Sequence, residues 1–223
     1  MGRQYVIMAG GYYSHFDRPK ALMVVGGETI VGRTIRLLKS AGINPGDILI
    51  TGTDERLRDY GVEVLVHDNS YRWVDGKMLG YWLDAFYPFF DDDIQLTFLY
   101  GDVVYSPEAI DKIVNCKRSG NILFGTSAAK NTLHKNWGEP FAFQVDDYRT
   151  FMDGVDAVKK LHDEGKLKRH PITWELYRYL NGLDVNVQAV KSATYICIDD
   201  GTIDIDAPWV VEKAERRRDY DYR

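Results

Sequence analysis

Cysteine is nearly absent: Cys116 and Cys197 are the only two in 223 residues. Two cysteines make no disulfide framework, and these lack the spacing of a zinc site. Proline is scarce, 7 against 20 glycines, which excludes collagen-like and proline-rich low-complexity chains. No apolar run approaches the roughly 20 residues of a membrane-spanning helix. The opening MGRQYVIMAGG has neither the long apolar region nor the small-residue cleavage site of a signal peptide. The sequence therefore predicts a soluble, cytoplasmic protein. Basic charge is also in deficit: 28 Lys plus Arg face 33 Asp plus Glu, for a net charge of -5. That balance argues against nucleic acid as a partner, since such binding runs on phosphate neutralisation. What is present is ordinary globular composition, 45% hydrophobic and 27% charged. The chain is long enough to bury one large core without disulfides or structural metal.

Apolar runs and helical patterns alternate from the first residues, as they do in β-α-β units around a parallel sheet. Strands are predicted over 5–8, 47–51, 62–66, 94–100, 121–126, 141–145, 185–190 and 194–198. A helix is predicted over 29–41, with Ile30, Thr34, Leu37, Leu38 and Ala41 on one face and Gly42 as its stop. Another is predicted over 76–90, where Leu79, Trp82, Leu83 and Phe86 fall at helical spacing. Further helices are predicted over 107–117, opened by Pro107, and over 148–162, 172–180 and 208–217. Residues 54–60 read as a short polar helix or loop. The expected fold class is α/β, a Rossmann-like mixed but mainly parallel sheet flanked by helices. It forms a single domain with a small lobe around 130–190.

Ligands of open α/β sheets bind beyond the carboxyl ends of the strands. The first strand runs into Gly10 and Gly11, whose backbone N–H groups can come close to a phosphate. A plain tight turn is the other reading. Neither Gly-x-Gly-x-x-Gly nor Gly-Lys-Ser/Thr is present, which excludes the dinucleotide fingerprint and the P-loop. Arg18, Pro19 and Lys20 follow; Lys20 would bring a cationic donor to a polyphosphate, or is simply solvated. The strand over 94–100 runs into Gly101 and Asp102. A carboxylate there suits magnesium, which takes a few carboxylates plus substrate phosphates, or it caps the next turn. Near the end, DDGTIDIDAPWVVEKAE sets Asp204 and Asp206 two residues apart before a helix. Asp91, Asp92 and Asp93 precede their strand, at the wrong end for a metal site, and read as a solvated turn. The five histidines show no ligand spacing; His15, in the glycine loop, is the one to test. Tyr12, Tyr13, Trp73, Trp137 and Trp174 fall where a ring can stack on a base, though packing is the simpler role for each. The arginines at 216–218 suit a helix C-terminus.

The run VIMAGG…RPKALMVVGGETIVGRTIRLLKSAGINPGDILITG resembles the opening of the nucleotidyltransferases that make nucleotide-sugars and CDP-alcohols, on the MobA-like NTP transferase fold. YGDVVYS is similar to that family's metal-binding Gly-Asp, and DIDAPWVVEKAE to its C-terminal acidic segment. The three pieces stand in the family's order along the whole chain. The resemblance implies that Ala9, Gly10, Gly11, Gly101 and Asp102 contact the nucleotide. It further implies Lys20, with Arg18, as catalytic cations, and Asp102 and Asp204 as magnesium ligands, leaving Asp206 to cap the following helix. Trp137 and Glu139 would lie near the acceptor. A nucleotide-binding half over about 1–128, an acceptor-side lobe over about 130–190 and a returning strand and helix over 191–217 would make up the domain. The loop departs from the family's Gly-x-Gly-x-Arg, reading Gly10-Gly11-Tyr12-Tyr13-Ser14-His15, so Arg18 would supply the guanidinium.

The implied reaction moves a nucleoside monophosphate from a nucleoside triphosphate to a phosphorylated small molecule, releasing pyrophosphate, with Mg²⁺. YGDVVYS and the compact ending are similar to cytidylyltransferases acting on phospho-alcohols, which favours CTP; sugar 1-phosphates remain open as acceptors. A homodimer through the lobe after residue 146 is a further expectation. Two alternatives stand beside this reading. One is a glycosyltransferase consuming a nucleotide-sugar, disfavoured by Pro19, Lys20 and Asp204. The other is a nucleotide-binding regulator without catalysis, favoured by the irregular loop.

Overall fold

The apolar runs YVIM, ILIT and LTFLY have no polar residues alternating towards water, so they belong in a sheet covered on both faces. A computed structural model of the chain describes residues 2–11, 18–68, 71–74, 77–87, 90, 93–127, 138–207, 209–212 and 214–215. In it these runs lie at the centre of the molecule, with Val6, Ile7, Ile48, Ile50, Phe98 and Leu99 fully buried. The strands are β1 (Gly2–Met8), β2 (Val24–Val25), β3 (Glu28–Thr29), β4 (Ile48–Gly52), β5 (Glu63–Val66), β6 (Arg72–Val74) and β7 (Lys77–Leu79). They continue with β8 (Ile94–Tyr100), β9 (Val103–Val104), β10 (Ile122–Thr126), β11 (Glu139–Val145), β12 (Tyr195–Cys197) and β13 (Ile203–Asp204). The helices are α1 (Ile30–Ser40), α2 (Pro107–Val114), α3 (Tyr148–Asp163) and α4 (Thr173–Leu180).

Among the described residues one seven-stranded sheet runs in the order β12-β10-β11-β8-β1-β4-β5. All neighbours are parallel except those of β11, which runs antiparallel to both β8 and β10. The fold class is therefore α/β with a mixed, mainly parallel sheet. The chain leaves β1 for β4 and β5 on one side, then returns to β8 on the other. That reversal makes the β1–β8 seam the switch point of the sheet. The helices start on the caps their sequences supply. Thr29 accepts from the Gly32 N–H, Ser106 from Ala109, and Asp147 from Thr150. Gly42, at φ 88°, lets the chain turn out of α1.

Four expectations need correction. The helix over 76–90 is instead the β6–β7 hairpin and a 3₁₀ turn at Trp82–Ala85. Gly80 stands at φ 68° between them, and Leu79 is half exposed while Leu83 and Phe86 are buried, so no single apolar stripe forms. The strand over 185–190 is a turn: Asp184 accepts from the N–H of Asn186, and Val187 and Val190 face water. Helix α2 stops at Val114, because the Arg3 guanidinium takes the carbonyls of Val114 and Cys116. Ala41 lies past the last turn of α1 and is exposed. The final helix is present at 209–212 and 214–215, where Val210 and Ala214 pack on Ile203, Ile205 and Val104. The loop at 12–17, Asp91, Asp92, Trp137 and the arginines at 216–218 lie outside the described residues.

Candidate functional site

Strands β1 and β8 pair in register along their whole length, from Gly2 opposite Ile94 to Met8 opposite Tyr100. The two chains therefore leave the sheet side by side at its carboxyl edge, Ala9-Gly10-Gly11 beside Gly101-Asp102. Gly101 donates its N–H to the Met8 carbonyl at 3.1 Å. A Cβ on Gly101 would sit 2.4 Å from that carbonyl oxygen and 3.0 Å from the Ala9 Cα, so only glycine permits this approach. Ala9 is anchored from the other side, its N–H donating to the Thr51 carbonyl at 2.8 Å. Behind Gly101, the Tyr105 hydroxyl accepts from the Tyr100 N–H at 2.9 Å and donates to the Phe141 carbonyl, which ties the turn to β11.

Lys20 enters from a different direction. Pro19 sets its backbone, Ala21 and Leu22 bury themselves in the core, and the Lys20 N–H donates to the Gly11 carbonyl at 3.2 Å. The third contribution comes from far along the chain. β13 pairs antiparallel with β9, with Asp204 opposite Val103, and the Ile205 N–H donates to the Asp102 carbonyl at 2.9 Å. This short ladder places Asp204 beside Asp102.

The result is a compact charge cluster. Carboxylate oxygens of Asp102, Asp204 and Asp206 lie within 4.8 Å of one another. The Lys20 Nζ stands 2.5 Å from Asp102 Oδ2 and 3.1 Å from Asp206 Oδ1. Burial works to lower the Lys20 pKa, but the three carboxylates outweigh it and raise it, so the ammonium stays charged. Asp204 shows the opposite balance. Burial, then the charges of Asp102 and Asp206, hold its carboxyl well above the usual range against the opposing pull of Lys20. One Asp204 oxygen is buried without a hydrogen-bond partner among the described residues. Three converging carboxylates, one of them orphaned and strained towards protonation, fit a hard divalent cation. Asp206, assigned by sequence to the following helix, joins this cluster through Lys20.

A cavity of about 330 Å³ opens above the cluster, within the range of about 300–1,000 Å³ usual for small-molecule sites. Ala9, Gly10, Gly11, Lys20, Gly101, Asp102, Glu139 and Asp204, the sequence candidates brought together here, all line it. Arg18 does not line it, although it immediately precedes Pro19. Sequence reasoning missed Thr51, His67, Trp82, Tyr100 and Thr173 on its walls. Thr51, His67 and Tyr100 were within reach, because each sits at the carboxyl end of a strand. His67 is held by a 2.6 Å hydrogen bond between its Nε2 and the Asp84 carbonyl. Tyr100 is buried, its hydroxyl bonded to Thr173 Oγ1, which fixes the start of α4 against the cavity. Trp82 was hidden by the mistaken helix.

A glycine turn open to phosphate, an ammonium and a carboxylate cluster at the switch point of a mainly parallel sheet define a nucleotide-handling α/β enzyme. The chain belongs to the family of the MobA-like NTP transferase domain, whose model matches residues 5–170, and it is a nucleotidyltransferase. That match ends before Asp204, which the β13–β9 ladder brings to the site. No curated protein matches the chain in sequence. Among solved structures it is similar to a protein of Bacillus anthracis described as a glucose-1-phosphate thymidylyltransferase, at 16% identity and a TM-score of 0.57, over 97% of this chain and 95% of that one. It is also similar to the CTP:phosphocholine cytidylyltransferase of Streptococcus pneumoniae, at 16% identity and a TM-score of 0.51, over 98% of this chain and all of that one. At such identities the likeness speaks for the fold. No helix among the described residues is long and apolar enough to cross a membrane.

Proposed function

We propose that this protein transfers a nucleoside monophosphate from a nucleoside triphosphate to a phosphorylated small molecule and releases pyrophosphate. The observation that carries the reading is the Lys20–Asp102–Asp204–Asp206 cluster set against the Ala9-Gly10-Gly11 turn. In this reading CTP is the triphosphate, the acceptor is a phospho-alcohol or a sugar 1-phosphate, and the cation is Mg²⁺. A phosphate ester is already ionised at neutral pH, so its oxygen attacks the α-phosphorus without a general base. No catalytic histidine or carboxylate dyad is then required, and catalysis rests on alignment and charge stabilisation.

The backbone of Ala9, Gly10 and Gly11 receives the triphosphate, and Gly101 allows β8 to come close enough to complete that wall. Lys20 offsets charge that develops on the α-phosphate and on the departing pyrophosphate. Asp102 and Asp204 would hold the cation, which when bound neutralises phosphate oxygens. Asp206 keeps Lys20 oriented in the cavity. Arg18, next to Pro19, is a second cation for the phosphates in this reading. Glu139 and Trp137 belong to the acceptor side.

The test is pyrophosphate release with Mg²⁺, crossing the four ribonucleoside triphosphates and dTTP with sugar 1-phosphates, phosphocholine and other alcohol phosphates. Acceptor-dependent pyrophosphate with one triphosphate upholds the reading. Release of nucleoside diphosphate from a nucleotide-sugar, with no pyrophosphate from any pair, would replace it by glycosyl transfer.

A further inference from the structure

Glu139, Ile172 and Asp206 wall two cavities at once: the catalytic one, and a second of about 570 Å³. Arg169, Trp174, Arg178 and Tyr195 line the second cavity and not the first. Helix α4 organises that wall through Glu175, which is buried at 3% exposure. Its Oε2 accepts from the Ile172 N–H at 3.1 Å, and its Oε1 accepts from Arg169 Nε at 2.8 Å and Arg178 Nη1 at 3.2 Å. One carboxylate thus serves two guanidinium groups. Arg178, 5% exposed, also donates from Nη1 to the Val185 carbonyl and lies over the Trp174 ring, 5.7 Å from its centre. Trp174 in turn touches Tyr195, with ring centres 6.1 Å apart.

Two polar groups of this wall are unmet. Arg178 Nε and the Tyr195 hydroxyl are buried and have no hydrogen-bond partner among the described residues. Unpaired buried donors are costly and uncommon, more so on a charged group. An arginine N–H only donates, so its missing partner is an acceptor. A carboxylate offers only acceptor oxygens and carries the complementary charge. A quaternary ammonium would meet two guanidinium groups here instead. The other charges facing the wall do not reverse this. Asp184 acts on Arg178 from outside the cavity, while Glu139 and Asp206 stand at the end shared with the catalytic cluster.

We propose that the second cavity holds the body of the acceptor, and that this acceptor is a phosphate ester carrying a carboxylate remote from its phosphate. Arg178, Tyr195 and Arg169 receive the carboxylate, Trp174 lies against the carbon skeleton, and the phosphate reaches the catalytic cluster past Glu139 and Asp206. The phosphate end of this assignment rests on the nucleotidyl-transfer reading; the carboxylate end rests on the cavity.

The experiment is calorimetric titration of the purified chain with matched phosphate esters. Glucuronic acid 1-phosphate is compared with glucose 1-phosphate, and 3-phosphoglycerate with glycerol 3-phosphate, with phosphocholine as the cationic case. The acid of at least one pair binds at least about tenfold more tightly than its neutral partner, as a charge-assisted hydrogen bond requires. Tyr195→Phe removes a hydroxyl that no described group holds, and Arg169→Gln removes a half-exposed cation. Each brings the acid-to-neutral ratio towards one, Tyr195→Phe with no loss of melting temperature and Arg169→Gln with a lower one, because buried Glu175 loses a cationic partner; Arg178→Lys, which keeps the charge but loses the fork, does the same to the ratio. Equal affinity within both pairs, no binding of either acid, or tightest binding by phosphocholine overturns the assignment. Those results leave nucleotidyl transfer standing wherever pyrophosphate release persists. Acid-selective binding without pyrophosphate release from any triphosphate upholds the cavity and overturns the transfer reading.

Discussion

A carboxylate buried beside two others destabilises the protein that carries it unless something else is gained, and Asp204 is such a group. Its folded pKa lies above the ordinary 3.8, so the folded state binds its proton more tightly than the unfolded chain does. Stability therefore falls as pH rises from about the unfolded value towards the raised folded one. At neutral pH, Asp204→Asn relieves that cost. The metal-free variant melts higher than the parent, by about 2–4 °C per kcal/mol of relief, and loses the acid-range decline. The same variant loses Mg²⁺-dependent turnover. Scanning calorimetry across pH with chelator present checks this, and an Asp204→Asn protein that melts lower at neutral pH contradicts it. Lys20 and Asp102 carry the complementary expectation. Lys20→Ala and Asp102→Ala each lose at least about 10²-fold in turnover while remaining folded, since each removes one electrostatic contact aimed at the reacting phosphates. Steady-state pyrophosphate release reads the loss, and near-full turnover by either variant removes that residue from the mechanism. Asp102 stood out in the sequence because it follows a glycine at the end of a strand, and Lys20 because it follows Pro19 in the segment that resembles the family's opening. The sequence assigned Asp206 to capping the following helix; its ion pair with Lys20 was not readable there, because the two lie 186 positions apart.

The strands that frame the site were legible for one physical reason: a strand buried on both faces must be apolar at every position. That holds for the buried stretches 5–8 of β1, 48–50 of β4, 98–100 of β8 and 122–124 of β10, whose runs are bounded by glycine or by polar residues. Segments without such a constraint were misread. Leu79, Trp82, Leu83 and Phe86 have helical spacing, but a left-handed glycine at position 80 divides them between a hairpin and a 3₁₀ turn. The β13–β9 ladder is two residues on each strand, too short to leave a pattern, yet it carries Asp204 into place. At this scale the close contact that frames the site is Gly101 against Met8. Gly101→Ala forces a Cβ onto a backbone carbonyl, and no flexible side chain is there to move aside. The variant loses about 1–3 kcal/mol in chemical denaturation and, because β8 must shift from β1, loses turnover as well. Wild-type stability in Gly101→Ala would contradict the described seam.

The whole molecule divides its work between one sheet edge and the residues that close over it. The glycine turn, Lys20 and Asp102 come from the first half of the chain, and the carboxylate cluster is completed only when residues 203–206 return to β9. Thr173 and Glu139 bring the second half against the same cavity, and Glu139, Ile172 and Asp206 also wall the second cavity beside it. Family and fold were legible at this scale, because three separated motifs stood in one order. The shared lining of the second cavity by Arg169, Arg178 and Tyr195 was not, since these residues come together only through tertiary packing. The central claim is that the α-phosphorus moves and the terminal phosphates leave together. It is tested most directly by following the fate of α- and γ-labelled triphosphates incubated with the protein, Mg²⁺ and a pool of phosphate esters. The account predicts α-label in an organic phosphate product and γ-label in pyrophosphate. Transfer of the γ-label to an acceptor, or no transfer of α-label from any triphosphate, would contradict it.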